Sequence, residues 1–132
     1  MAKRVLILSS SPRRGGNSDR LCDEFLRGAA EAGHDAATPV YFYTMAAQMK
    51  TLIDRCCARY TEISGKEFYL LLTAAEEERE KMLRTADTFQ GFFDCLEEPH
   101  LRATVFGTGV WHAGEIAGHP ALREAYEAGK GI

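Results

Sequence analysis

The chain has 132 residues, of which 45% are hydrophobic and 27% are charged, a composition typical of one globular domain with a substantial core. Its formal net charge of −3 argues against a protein that binds nucleic acid through a broadly basic face. The longest apolar runs, residues 5–8 and 68–72, are too short to span a bilayer, and the N-terminus lacks a signal-peptide pattern. A cytoplasmic protein is therefore expected.

The first predicted element is a buried strand, followed by a polar turn and a helix. Residues 4–9 (RVLILS) form the nearly unbroken aliphatic run of a parallel strand that is covered on both faces. Turn-forming residues follow up to Ser18, and Asn17 or Ser18 is expected to cap the helix. Gly33 is expected to end that helix.

The rest of the chain alternates between helical and strand patterns. Residues 34–38 (HDAAT) are too short for a strand, a connection and another helix. Residues 68–73 and 101–106 are predicted to be the second and third buried strands. The predicted helices are one from Met45 to Cys56, a charged one over residues 75–97 and a short one over residues 120–128. This alternation predicts a single domain over residues 1–132, built as an α/β fold around a parallel sheet.

The turn between the first strand and the first helix has the composition of a phosphate site. Backbone N–H groups of the glycine turn around Gly16 and of the helix N-terminus converge on one spot, which the helix dipole makes positive. Arg13 adds charge, and polar side chains add neutral donors: Ser9, Ser10, Ser11, Asn17 and Ser18. The turn lacks the Walker pattern and G-x-G-x-x-G, which disfavours triphosphate hydrolysis and dinucleotide binding. An empty polar turn is the alternative, but the combination favours a phosphate monoester.

No metal site is expected. The four cysteines lack C-x-x-C spacing, and the adjacent pair Cys56 and Cys57 does not suit a zinc knuckle. All four are predicted to be thiols at or near the core faces of helices.

Two segments resemble the NADPH-dependent FMN reductases, a group of flavodoxin-like proteins that includes the iron–sulfur flavoproteins. Residues 10–18 (SSPRRGGNS) are similar to the first loop of that family, which usually reads Gly-Ser-Pro-Arg and then Gly-Asn-Thr or Gly-Asn-Ser. Residues 39–55 (PVYFYTMAAQMKTLIDR) are similar to its second signature, a Pro-x-Tyr loop leading into a helix that ends in Lys-x-x-x-Asp-Arg. The resemblance implies a flavodoxin-like, three-layer α/β/α fold and an FMN-dependent NAD(P)H oxidoreductase.

The resemblance also implies a set of cofactor-binding residues. The FMN phosphate would be held in the first loop by Ser11, Arg13, Asn17 and Ser18, together with Ser9 and Gly16. The isoalloxazine ring would be lined on one side by Pro39, Val40, Tyr41 and Phe42, and on the other by Thr73 and Ala74. This arrangement agrees with the rule that ligands of open α/β sheets lie beyond the carboxyl ends of the strands.

Several residues of this set have a plainer interpretation. Three aromatic residues at 41–43 more often pack at a core edge than contact a cofactor. The pair Asp54 and Arg55 is interpreted as structural. Trp111 and His112 follow a strand end and would border the pocket, although a surface position is the simpler interpretation for His112.

The leading functional hypothesis is electron transfer from NAD(P)H through FMN to a small acceptor of the quinone, flavin, nitro or azo type. The cofactor carries this chemistry, so no catalytic acid, base or nucleophile is assigned. The alternative is a non-catalytic module that binds FMN or a phosphate ester. Phosphatase-like chemistry ranks below both, because the chain lacks a Cys-x5-Arg pattern. No nucleic-acid or membrane partner is expected. The protein is expected to form a homodimer or a higher homo-oligomer.

The sequence departs from the family in one place. A flavodoxin-like sheet orders five strands 2-1-3-4-5, yet the second strand and most of the third strand are judged to be missing, as if a segment had been cut out near residues 36–37. Either the natural protein carries a segment that this sequence omits, which the intact flanking motifs favour, or the protein lacks it. In the second case strands one and four would lack the neighbour between them, and exposed edges would favour dimerisation. No cysteine cluster remains, so no iron–sulfur centre is expected.

Overall fold

A computed structural model describes residues 6–9, 13–29 and 34–132. Within these ranges, the sheet contains the parallel strands β1 (Leu6–Ser9), β2 (His34–Tyr41), β4 (Glu67–Thr73) and β5 (His100–Gly107), in the spatial order β1-β2-β4-β5. The two-residue strand β3 (Thr44–Met45) lies antiparallel to the end of β2.

Helices cover both faces of this sheet. The helices are α1 (Asn17–Ala29), α2 (Ala47–Arg55), α3 (Leu83–Phe93) and α4 (Pro120–Lys130). Helices α1 and α4 enclose one apolar core, and α2 and α3 contribute to the other. The expected three-layer α/β/α architecture is thus confirmed. Across the described part of the chain, no helix combines the length and the apolar character needed for a bilayer crossing.

Burial of strand β4 on both faces explains its continuous apolar run. Tyr69 and Leu71 are buried in the core under α1 and α4, whereas Leu70 and Leu72 are buried in the core under α2 and α3. Because side chains alternate between the two faces of a strand, the part of a strand that is covered on both sides is apolar at nearly every position.

Glycines bring α1 and α4 into backbone contact. A Cβ atom on Gly28 would lie 1.9 Å from the carbonyl oxygen of Tyr126, and one on Gly129 would lie 2.1 Å from the carbonyl oxygen of Phe25. Any side chain at either position would push the helices apart. The C-terminal helix therefore supports α1, whose N-terminus faces the site described below.

The expectation that most of the strand before the Pro39 loop is missing is wrong. His34–Tyr41 is an eight-residue strand whose register pairs Leu8 with Ala36 on one side and Ala36 with Leu70 on the other. Strand β2 thus fills the position between β1 and β4 that was expected to be vacant. Its central place gives it two hydrogen-bonded neighbours, which outweigh the weak strand preference of His-Asp-Ala-Ala. Within the described ranges, no strand lies outside β1.

Smaller differences concern element ends and cysteines. The charged helix begins at Leu83 after a 3-10 turn (Arg79–Met82), later than the predicted start at residue 75. Gly33, the predicted end of the first helix, lies outside the described residues. Cys22 is buried as predicted, but Cys57 and Cys95 are exposed.

Candidate cofactor site

A cleft lies where the carboxyl ends of β2 and β4 meet the N-terminus of α1 and the loop after β5. It contains about 480 Å³ of empty space, a figure that includes the part open to solvent. Its lining residues are Arg13, Gly16, Asn17, Ser18, Pro39, Val40, Tyr41, Thr73, Ala74, Ala75, Val110, Trp111 and Ala113.

A tight turn aims the N-terminus of α1 at this cleft. Gly15 adopts a left-handed conformation with φ of 67°, and its N–H donates to the Asp19 carboxylate at 2.8 Å. The Gly16 carbonyl accepts the first helical hydrogen bond from the N–H of Arg20. The first N–H groups of a helix have no acceptor within the helix, and the helix dipole makes that end positive. The cleft therefore presents an environment that attracts anions.

Asn17 and Arg13 connect this turn to the loop after β5. The Asn17 amide donates to the His112 carbonyl at 3.0 Å and accepts from the Ile116 N–H at 3.2 Å, so its side chain binds this loop, rather than capping α1 as expected. The Arg13 guanidinium donates to the Trp111 carbonyl at 2.8 Å and lies 5.7 Å from the centre of the Trp111 ring. The two loops consequently form one wall of the cleft.

A buried hydroxyl pair joins α1 to the end of β4. The Oγ of Ser18 and the Oγ1 of Thr73 are 2.7 Å apart, and both residues are buried. Because each hydroxyl satisfies the other, neither is left unpaired in the interior. This contact links the turn of the cleft to its opposite side.

Thr38 is a structural residue that the sequence analysis missed. Its fully buried hydroxyl donates to the Pro39 carbonyl at 2.8 Å and accepts from the Ala46 N–H at 3.0 Å. Ala46 is the residue that precedes α2, so this bond ties the start of α2 to the end of β2. A threonine directly before a proline at the end of a buried strand is the signal that could have identified it.

The connection between β2 and β3 is strained. Tyr41 pairs with Thr44, which leaves Phe42 and Tyr43 as a two-residue turn with φ of 49° and 59°. Such turns favour glycine and asparagine, and a left-handed conformation costs other residues about 1–2 kcal/mol each. Phe42 is fully exposed and does not line the cleft, although the resemblance implied that it would.

Glu76 accepts hydrogen bonds from three segments. Its carboxylate accepts from the Tyr43 hydroxyl at 2.7 Å and from the Glu78 N–H at 3.0 Å. Its carbonyl accepts from the Gly109 N–H at 2.8 Å. The bonds from the Glu78 N–H and then from the Tyr43 hydroxyl lower the pKa of Glu76, and the bond to Glu76 raises the pKa of Tyr43.

Glu115 closes the loop after β5. Its carboxylate accepts from the N–H groups of Trp111 at 2.7 Å and His112 at 3.0 Å. These two bonds, that from Trp111 first, lower the pKa of Glu115. Like Glu76, Glu115 sits in a polar stretch whose pattern gives no sign of its partners, so sequence reasoning did not find it.

Most of the residues implied by the resemblance meet in the cleft. They are Arg13, Gly16, Asn17, Ser18, Pro39, Val40, Tyr41, Thr73 and Ala74. Ser9 ends β1, while its side chain and all of Ser11 lie outside the described residues. Trp111 lines the cleft, and His112 takes part through its backbone.

A family model described as NADPH-dependent FMN reductase matches residues 36–117. This chain belongs to that family. It is accordingly an FMN-dependent oxidoreductase that uses NAD(P)H as reductant. The match begins after the first loop, so residues 13–18 lie outside the matched range.

Solved structures share the fold. The Trp repressor binding protein from Bacillus subtilis is 21% identical with a TM-score of 0.81, over 95% of this chain and 97% of that one. A flavodoxin, WrbA-like protein from Agrobacterium tumefaciens is 11% identical with a TM-score of 0.73, over 100% and 95%. An NAD(P)H:quinone oxidoreductase from Methanothermobacter marburgensis is 14% identical with a TM-score of 0.72, over 98% and 96%. No curated protein matches the sequence.

The residues of the cleft fit FMN. The positive end of α1 and the nearby Arg13 suit a phosphate monoester. Pro39, Val40 and Tyr41 add apolar lining at the end of β2, beside Thr73 and Ala74 at the end of β4, and apolar lining suits a flat ring system.

Proposed function

We propose that the first loop binds the FMN phosphate and that the β2 and β4 ends border the isoalloxazine ring, in an enzyme that reduces a small planar acceptor. The phosphate would be held by Ser9, Ser11, Arg13, Gly16, Asn17 and Ser18, and the ring by Pro39, Val40, Tyr41, Thr73 and Ala74. The observation that carries this proposal is convergence: four segments distant in sequence meet in one cleft at the end of the sheet.

The mouth of the cleft supports a planar acceptor. Trp111 is 58% exposed and Tyr41 is 36% exposed, so aromatic surface remains available beside the cleft. Offset stacking on such rings favours flat aromatic molecules. Quinones, free flavins, and nitro or azo aromatics are the acceptor classes that we propose. The name of the similar Methanothermobacter marburgensis structure supports the first of these.

The residues of the chain would bind and orient rather than transfer protons. Among the described residues that line the cleft, Arg13 and Tyr41 are the titratable ones, and there is no carboxylate, histidine or thiol. When bound, FMN supplies the ring that accepts hydride from NAD(P)H. The chain would anchor the phosphate, fix the ring plane and leave one side open to the second substrate.

Flavin binding and turnover test this proposal. Purified protein should bind FMN, measured as quenching of flavin fluorescence, and should oxidise NADPH faster when a water-soluble quinone or a nitroaromatic compound is added. FMN binding without NADPH oxidation by any acceptor would instead indicate the non-catalytic module. Failure to bind FMN would overturn the site itself.

A further inference from the structure

Three of the segments that line the cleft meet at Glu76, although Glu76 does not line the cleft. The carboxylate holds Tyr43 of the β2–β3 turn, and the carbonyl holds Gly109 of the loop after β5. Two residues earlier, the Ala74 carbonyl accepts from the Val110 N–H at 2.9 Å. Backbone bonds thus hold the loop after β5 against the end of β4, and the Glu76 carboxylate adds a side-chain link to the β2–β3 turn.

The bond to Tyr43 matters because the turn that carries it is unfavourable. Both turn residues are aromatic and adopt the left-handed backbone conformation. The Phe42 side chain is fully exposed, so its burial does not stabilise this conformation. Tyr43 is 39% exposed, so burial also holds it weakly. The Tyr43 side chain is held by the hydrogen bond from its hydroxyl to Glu76 and by the Arg84 guanidinium, which lies 5.4 Å from the centre of the Tyr43 ring.

Tyr41 ends the strand directly before this turn and lines the cleft. We propose that the Tyr43–Glu76 hydrogen bond holds the β2–β3 turn in its left-handed form and thereby positions Val40 and Tyr41 for FMN. Tyr43 and Glu76 are then positioning residues of the family reaction. Without the bond, the turn relaxes and Tyr41 moves with it, so the part of the cleft that is proposed to border the isoalloxazine ring loses its shape.

Two variants and two matched controls test this. Tyr43→Phe removes the hydroxyl but keeps the ring under Arg84, and Glu76→Ala removes the acceptor. Each is expected to weaken FMN binding about threefold to tenfold, the usual worth of one hydrogen bond. Glu76→Gln keeps an acceptor and should bind FMN nearly as the wild type does. Tyr60→Phe, at an exposed tyrosine that does not line the cleft, should bind FMN unchanged.

A double variant identifies the pair. If the two residues act through one bond, then Tyr43→Phe combined with Glu76→Ala should weaken FMN binding no more than Glu76→Ala alone. Hydrogen exchange adds a readout that does not require flavin. Amide protons of residues 40–46 should exchange faster in Tyr43→Phe, while those of β4 and β5 keep their protection.

Each outcome bears on the inference. Equal FMN affinity in the wild type, Tyr43→Phe and Glu76→Ala would overturn it while leaving the proposed function intact. Additive losses in the double variant, or faster exchange throughout the sheet, would overturn it as well, since both point to general destabilisation. A wild type that does not bind FMN would overturn the proposed function itself. The hydrogen-exchange comparison would still test whether the Tyr43–Glu76 bond holds the β2–β3 turn.

Discussion

Arg13 illustrates how one residue serves the cleft in two ways. Its guanidinium holds the Trp111 carbonyl, and it lies beside the positive end of α1 where an anion is expected. A change at Arg13 therefore affects both the loop after β5 and phosphate binding. These effects are separable because riboflavin has the same ring as FMN but lacks the phosphate.

Replacing Arg13 by alanine is expected to weaken FMN binding about tenfold or more, because a charge-assisted contact to phosphate is lost. Riboflavin binding should change much less. Fluorescence titration with both flavins measures the difference, and Arg14→Ala, next to it but outside the cleft lining, is the control. Equal losses for FMN and riboflavin would mean that Arg13 acts on the loop alone.

Glu115 makes the stability of the loop after β5 dependent on pH. Its pKa in the folded protein is lowered, chiefly by the Trp111 N–H, relative to an unfolded value of about 4.3. The folded state therefore binds the proton less readily, so the carboxylate contributes stability above the unfolded pKa and loses it as the pH falls through the folded pKa. Urea unfolding of the wild type and Glu115→Gln should differ at neutral pH and converge in acid. A gap that widens in acid would contradict this assignment.

At the scale of elements, the crossing of α1 and α4 restricts the side chains that the sequence tolerates where the two helix backbones touch. Gly129 has no room for a Cβ atom, whereas Gly91, inside α3, has nothing within 4 Å of where its Cβ would lie. The two glycines therefore respond oppositely to the same substitution.

Gly129→Ala is expected to lower the free energy of unfolding by about 1–3 kcal/mol or more, because the helices must separate. Gly91→Ala should raise it by about 0.4–1 kcal/mol, since alanine favours the helix and restricts the unfolded chain. Urea unfolding of both variants checks the pair. A stabilised Gly129→Ala would mean that α1 and α4 do not touch through their backbones.

The elements that could be predicted from sequence are those whose local pattern agrees with their tertiary surroundings. Strand β4 is apolar from Phe68 to Leu72 and buried from Tyr69 to Thr73, and Pro120 begins α4 as expected. Strand β2 was missed because its first half, His-Asp-Ala-Ala, has no apolar run, and its strand structure follows from pairing on both sides. The cleft lining was largely predicted through two motifs, but Thr38, Glu76 and Glu115 act through contacts distant in sequence or through backbone groups, which composition does not reveal.

At the scale of the whole molecule, exposed aromatic residues cluster beside the cleft. Tyr41, Phe42 and Tyr43 are consecutive and all exposed, and Trp111 lies at the cleft mouth. Exposed apolar surface of this kind favours association with another protein surface. We propose that the single domain of residues 1–132 forms a homodimer through the part of this surface around Phe42, which does not line the cleft, so that Trp111 stays open to the acceptor.

Sedimentation velocity is expected to give the mass of two chains. Phe42→Ser should shift the equilibrium toward the single chain, because Phe42 is the most exposed large apolar residue described and does not line the cleft. FMN affinity measured at low protein concentration serves as the control for an intact site. A wild type that sediments as one chain at every concentration would contradict the homodimer.

The turn at Phe42 and Tyr43 has a consequence for how such a protein changes over generations. Glycine at position 42 would accept a φ of 49° without penalty, so at concentrations where the chain is monomeric, heat resistance alone would select against phenylalanine there. A laboratory selection for thermal tolerance should replace Phe42 early, whereas a selection for flavin turnover should preserve its neighbour Tyr43. Comparing the survivors of the two selections would reveal which of the two side chains is maintained for activity.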